Sequence, residues 1–246
     1  MVRVILTTKP PRPLGDGSVD HASLTPMLQA VAADGLKGLP DLEGDLERYL
    51  TAMADIEPDG LRRAEAVAFW INLYNVGVLR VAATAQKTGR ESVLRVLGAF
   101  DRPTINVDGQ YLSLDAIEHG KVRRFQDPRI HAALVCGSVS CPSLRPEPYN
   151  GITLDRQLDD QMRKFISTGA VGRTEDGRLL LSRVFAWYGA DFVRPHRMPA
   201  LVPAKRSAVR DALTPWLPPQ LADWVRHADP DVAFMRYDWS LRCAVG

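Results

Sequence analysis

The chain has 246 residues and is 46% hydrophobic, enough for a sizeable core and too apolar for a disordered segment. With 31 basic against 29 acidic residues its formal charge is +2, which excludes the strongly basic footprint of a nucleic-acid binder. Met1 to Pro10 hold an apolar run too short for a signal peptide, and no segment offers about 18 uninterrupted apolar residues, so a soluble, cytoplasmic chain without a membrane span is expected. Three cysteines form no disulfide framework and fit a reducing compartment, and Cys243 near the C-terminus reads as incidental.

Pro10, Pro11, Pro13, Gly15 and Gly17 make residues 1–18 an extended arm, with a single globular domain over 19–246. Leu24 to Ala33 and Leu42 to Ala54 carry apolar residues at three- and four-residue spacing and predict two amphipathic helices. A longer helix is predicted from Ala64 to Ala85. Its stretch from Ala66 to Leu79 has no charged residue, so this helix should be buried on all sides. Asn72 and Asn75 interrupt it one turn apart. A buried amide needs partners, so these two either tie a neighbouring loop's backbone to the core or orient a substrate.

Asp108-Gly109 between Thr104–Val107 and Gln110–Leu112 is a hairpin signal, because a type I′ turn needs positive φ at both positions. Ser113 then caps a helix through about Phe125, on whose apolar stripe of Leu114, Ile117, Val122 and Phe125 sits the carboxylate of Glu118, with His119 beside it. The apolar run Ile130 to Val135 reads as a strand that gives way to the small-residue loop Cys136-Gly137-Ser138-Val139-Ser140-Cys141-Pro142. Farther on, Thr153 is expected to cap a helix with the stripe Leu154, Leu158, Met162, Phe165 and Ile166. A second hairpin turns about Asp176-Gly177. Ser182 caps an aromatic helix carrying Phe185, Trp187, Tyr188, Asp191 and Phe192. Val209 to His227 is helical with proline breaks, and Val232 to Trp239 closes the chain as a strand. The fold class is α+β, mainly helical around a buried central helix, with a small antiparallel sheet built from short hairpins.

The segments Ala68-Phe69-Trp70-Ile71-Asn72-Leu73-Tyr74-Asn75, Ser113 to Gly120, and Arg129 through the cysteine loop to Arg145 resemble, in this order, the uncharacterised domain-of-unknown-function family 547. Weaker similarities at Leu154 to Ile166, Leu181 to Phe192 and Tyr237 to Leu241 extend the resemblance over most of residues 19–241. It implies no reaction, and it implies that some relatives carry an aspartate where Cys141 stands. The family pattern has a tyrosine in place of His21 and a phenylalanine in place of Ala132.

Four chemistries suit the cysteine loop. The first is a thiol hydrolase or acyl transferase with a cysteine nucleophile, His119 or His131 as base and Glu118 as orienter, since such roles follow geometry and not chain order. Pro142 suits the first turn of a helix, which would make Cys141 an N-cap whose thiolate faces free N–H groups; Cys136 then reads as the buried end of the strand and the reserve nucleophile. Ser138 and Ser140 would donate to an oxyanion, and Asn72, Asn75 and Arg145 are further candidates for substrate contact. The weak joint is the Glu118–His119 pair, because adjacent helical residues do not face each other. The second is a metal site on Cys136, Cys141 and a histidine, ranked lower because four intervening residues lie at the edge of zinc spacing and no second cysteine pair is present. A non-catalytic binding or interaction module is the third, and a redox-sensing disulfide the fourth. No cofactor is expected, and the partner is an unidentified small molecule or peptide.

Overall fold

The computed structural model describes residues 1–242, so Cys243 lies outside the described residues. The chain folds as expected into an α+β domain, mostly helical with two small sheets.

Helix α1 spans Val2–Thr7, where an extended arm was expected. The sequence is β-branched and intrinsically poor for a helix, so docking decides its state. Arg124 donates to the carbonyl of Ile5, and Lys121 Nζ donates to that of Lys9 at 2.8 Å. The following stretch is extended and hydrogen-bonded at Leu14, Gly15 and Gly17 to the backbone of Asp59 and Gly60. Helices α2 (Thr25–Asp34) and α3 (Glu43–Met53) follow, joined by a 3-10 segment from Gly35 to Leu42.

Helix α4 (Arg63–Lys87) is the axis of the fold. Every residue from Glu65 to Leu79 is buried, as its uniform apolarity requires. By length and composition it is a helix that could cross a membrane, yet here most of it is wrapped by the rest of the chain. Strands β1 (Ile105–Val107) and β2 (Gln110–Leu112) pair antiparallel about Asp108 and Gly109, both at positive φ as a type I′ turn demands. Ser113 Oγ accepts from the N–H of Ala116 and caps α5 (Leu114–Gly120), which continues as a 3-10 turn over Val122–Phe125.

The run from Ile130 is not a strand. It is a one-turn helix, α6 (Ile130–Ala133), followed by two extended residues with no strand partner. Asp127-Pro128 forms the turn that leads into it: the Asp127 carboxylate accepts the N–H of Arg129 at 3.0 Å, and the carbonyls of Asp127 and Pro128 accept the N–H groups of Ile130 and His131. The backbone that a sheet would have satisfied is taken by Asn75, whose amide donates to Ala133 O at 3.0 Å and accepts from Val135 N at 3.1 Å. Pro142 likewise begins no helix, so Cys141 is not an N-cap.

Helix α7 (Leu154–Phe165) starts at Thr153, but the threonine hydroxyl donates to Asn150 Oδ1 and caps nothing. Strands β3 (Val171–Arg173) and β4 (Leu179–Leu181) form the second hairpin, and β5 (Val232–Phe234) adds to β4 in parallel, so this sheet is mixed. Ser182 caps α8 (Arg183–Val193) by accepting from Val184 N; α9 (Arg206–Leu213) and α10 (Pro219–Ala228) follow across the proline breaks. The expected closing strand ends at Phe234. Beyond it the chain runs as a loop over the cysteine segment, with Val139 N on Ser240 O and Arg242 N on Gly137 O, both at 3.0 Å. Two hydrophobic cores result, one around α4 and one around α8, α9 and β4.

Candidate functional site

A cleft of about 320 Å³ opens where the two cores meet. Helix α4 supplies Tyr74, α5 supplies Asp115, Glu118 and His119, and α6 supplies His131. The loop contributes Cys136 and Cys141, α8 contributes Trp187 and Tyr188, and the closing loop brings Tyr237 and Trp239. A pocket of this size, mostly apolar with a few convergent polar groups, is the usual form of a ligand site.

The two cysteines are both half-buried and differ in their polar partners. Cys136 Sγ lies 3.0 Å from both Ser138 Oγ and Tyr237 Oη, and those two hydroxyls are 3.0 Å apart. Hydrogen bonding from Cys141 leads the forces that lower the pKa of Cys136, outweighing its burial, with Ser138 and Tyr237 adding to it. Burial drives the Cys141 thiol well up, reinforced by its role as donor to Cys136. Cys141 Sγ in turn accepts the Cys136 N–H at 2.7 Å. Gly137, at φ 70°, makes the turn that permits this, and a side chain there would run into Val93.

Behind the cysteines lies a buried ionic cluster. Asp191 takes two bonds from Arg123, Nε at 2.8 Å and Nη2 at 2.9 Å, and His131 Nε2 stands 2.8 Å from the same carboxylate. Burial alone would raise the pKa of Asp191, but the bonds from His131 and Arg123 outweigh it and hold the group at about 2. An ionised carboxylate only accepts, so His131 carries its proton on Nε2 and keeps the Nδ1 lone pair free. Burial lowers the pKa of His131 despite the attraction of Asp191, and the ring stays neutral near pH 7. It stacks on Tyr188 with centroids 4.0 Å apart and planes 16° from parallel.

The same rule gives His119 the opposite part. Arg123 Nη1 reaches His119 Nδ1 at 3.3 Å, and a guanidinium only donates, so Nδ1 accepts and the proton sits on Nε2. Glu118 Oε1 is 3.6 Å from Nδ1, beyond hydrogen-bond reach. The adjacent pair therefore meets, but it does not form an oriented dyad. Glu118 instead accepts the hydroxyl of Tyr74 at 3.0 Å, and the Tyr188 hydroxyl adds to the forces that hold its pKa down. Burial would raise its pKa, and the neighbouring histidines and these hydroxyls bring it below the ordinary value. Asp115 goes the other way: burial and then the charge of Glu118 lift it to about 6.

The remaining candidates are structural. Asn72 donates to Tyr149 O at 2.8 Å and accepts Tyr149 N at 3.0 Å, while Asn75 holds the α6 exit, so both amides are saturated by backbone and neither lines the cleft. Ser140 Oγ accepts the N–H of Asp238 and pins the closing loop. Arg145 pairs with Glu147 at 2.7 Å and Asp160 at 2.6 Å, away from the cleft. Among the described residues no group of three His, Cys, Asp or Glu side chains is placed to hold a metal ion.

Sequence reasoning named the aromatic helix Phe185–Phe192, and so Tyr188, only as a pocket wall beside the cysteine loop in a binding module, and did not single out Asp191, Tyr237, Arg123 or Asp115 as site residues. Asp191 carried the same signal as Glu118, a carboxylate inside an apolar helix. Tyr237 carried none, lying 101 residues from Cys136.

Residues 58–166 match the family model described as "Protein of unknown function, DUF547". No curated protein and no solved structure matches the chain. The matched stretch holds both cysteines, both cleft histidines and Glu118, whereas Tyr188, Asp191 and Tyr237 lie beyond it.

Proposed function

We propose that the cleft is the active site of a cysteine-dependent acyl-transfer enzyme, a hydrolase or acyl transferase, with Cys136 as the nucleophile. The observation that carries this reading is the hydroxyl chain that ends on Cys136 Sγ: Ser138 Oγ donates to Tyr237 Oη at 3.0 Å, which leaves the Tyr237 hydroxyl proton to donate to the sulfur, also at 3.0 Å. Donors to sulfur favour the thiolate, which is the reactive form. His131 has its free Nδ1 for the proton, and Asp191 is the positioning residue that fixes its tautomer. His119 offers an Nε2–H, a donor suited to the oxygen of a tetrahedral intermediate.

In this reading the Cys136 thiol gives its proton to His131 and the sulfur attacks a substrate carbonyl carbon. The bond to the leaving group then breaks, and the leaving group departs with the proton from the imidazolium. Water or another acceptor takes the acyl group from sulfur in the second half.

Alkylation by iodoacetamide, mapped by mass spectrometry, tests the assignment. At pH 7 Cys136 should react faster than Cys141 and faster than free glutathione. Tyr237→Phe should slow the reaction about tenfold, the value of one hydrogen bond to a charged group. Alkylation of Cys141 ahead of Cys136, or a Tyr237→Phe rate equal to that of the parent, would overturn the reading.

A further inference from the structure

We infer that the acyl group transferred through this cleft is apolar and uncharged, a medium-chain or aryl-acetyl group, and not an acetyl group or a dicarboxylic acyl group. The inference rests on the reading of Cys136 as nucleophile and names the substrate class of that site.

Two features point to it. The mouth is built from large apolar side chains left in solvent: Trp187 is 45% and Leu94 51% exposed. Trp187 packs against Tyr237 and Trp239, at centroid distances of 4.8 Å and 5.7 Å, so this surface is rigid and aromatic. Exposed apolar surface of this kind at the mouth of a mostly apolar cavity marks a place where apolar ligand is received. Phe100 and Val184 line the cleft as well.

The second feature is charge. Among the described residues no lysine or arginine lines the cleft, and its fixed charges are the carboxylates of Asp115 and Glu118. Arg123 is 1% exposed and spent on Asp191. A carboxylate or phosphate on the acyl chain would meet like charge with no cation to receive it. The volume, about 320 Å³, is at the small end for ligand sites, which favours a short chain or a single ring over a long fatty acyl group.

Chemically the donor is an ester or thioester. The Cys136 sulfur forms a bond to the carbonyl carbon, the bond from that carbon to the leaving thiol or alcohol breaks, and the proton removed from Cys136 leaves with that group. Each methylene transferred from water to an apolar wall is worth about fourfold in rate constant.

The test compares N-acetylcysteamine thioesters of acetyl, hexanoyl, phenylacetyl and succinyl groups on the full chain, following thiol release and the acyl adduct on Cys136 by intact mass. Iodoacetamide alkylation is run in parallel. Hexanoyl and phenylacetyl should exceed acetyl by about tenfold or more, with succinyl slowest, and Trp187→Ala should shrink the hexanoyl-to-acetyl ratio. Equal rates across the series, preference for acetyl or succinyl, or an unchanged ratio in Trp187→Ala would overturn the inference. If no thioester reacts while iodoacetamide still alkylates Cys136 rapidly, the substrate class is wrong and the nucleophile stands. If Cys136 resists alkylation, the reading beneath falls too.

Discussion

Replacing Asp191 by asparagine keeps the shape of the side chain and removes the charge that holds the cleft floor together. Asp191 is wholly buried and receives Arg123 Nε and Nη2, His131 Nε2 and the backbone N–H of Ala200, the last at 2.7 Å. All four are donors, and an asparagine amide presents one acceptor atom and one NH₂, so at least one donor would face another. Arg123, 1% exposed, would remain charged with no counter-ion. Breaking a buried pair from one side costs about 3–5 kcal/mol. For a chain of this size each kcal/mol lowers Tm by about 2–4 °C, so a fall of about 6–20 °C is expected. Urea unfolding followed by circular dichroism measures the loss. The double variant Arg123→Met with Asp191→Leu removes both charges and should regain at least about 2 kcal/mol of it, because the orphaned guanidinium is the larger part of the cost. A loss below about 1 kcal/mol in the single variant, or a double variant no more stable than the single, would refute the cluster as a coupled unit.

His21 offers a pH test. Burial lowers its pKa from the usual 6.5 to about 4, against the attraction of Asp20, and its Nδ1 is 2.7 Å from Tyr49 Oη. The unfolded chain binds this proton first as pH falls, so the contribution is complete above pH 6.5 and drains away down to about 4. His21→Gln should flatten the stability profile over that window by about 3 kcal/mol, and parallel profiles would exclude it. Asn72→Ala and Asn75→Ala each orphan two buried backbone groups and should each cost roughly 2–4 kcal/mol in urea unfolding. Only Asn75→Ala should also change the alkylation rate of Cys136, because Asn75 alone holds Ala133 and Val135; equal effects from the two would contradict this. Gly120→Ala places a methyl group on the Thr8 side chain and should release the N-terminal segment. Limited proteolysis should then cut within residues 1–18 far sooner than in the parent, and an unchanged digestion pattern would refute that docking.

Where local chemistry decides structure, the sequence was legible. The charge-free middle of α4 could only be buried, Asp108-Gly109 could only turn, and Ser113 and Ser182 cap the helices that follow them. The run from Ile130 was not legible in that way. Six residues are too few to separate a periodicity of two from one of 3.6, and the start signal lay upstream in Asp127-Pro128. Within the arm at residues 1–18 only the helix Val2–Thr7 was missed, for the opposite reason, since its docking depends on Arg124 and Lys121, more than a hundred residues away.

The site divides along the same line. Glu118 announced itself as a carboxylate on an apolar stripe, and the logic that singled it out applies unchanged to Asp191, the only charge between Val184 and Val193 on α8. What no local pattern contained was the ranking of the two cysteines. Spacing and Pro142 favoured Cys141, because they spoke only of the loop's own backbone. The proposed ranking rests instead on a hydroxyl brought in by the closing loop, Tyr237 Oη at 3.0 Å from Cys136 Sγ. On the proposed reading the choice of nucleophile depends on tertiary contact: with Tyr237→Phe, Cys136 loses the hydroxyl at 3.0 Å that sets its surroundings apart from those of Cys141.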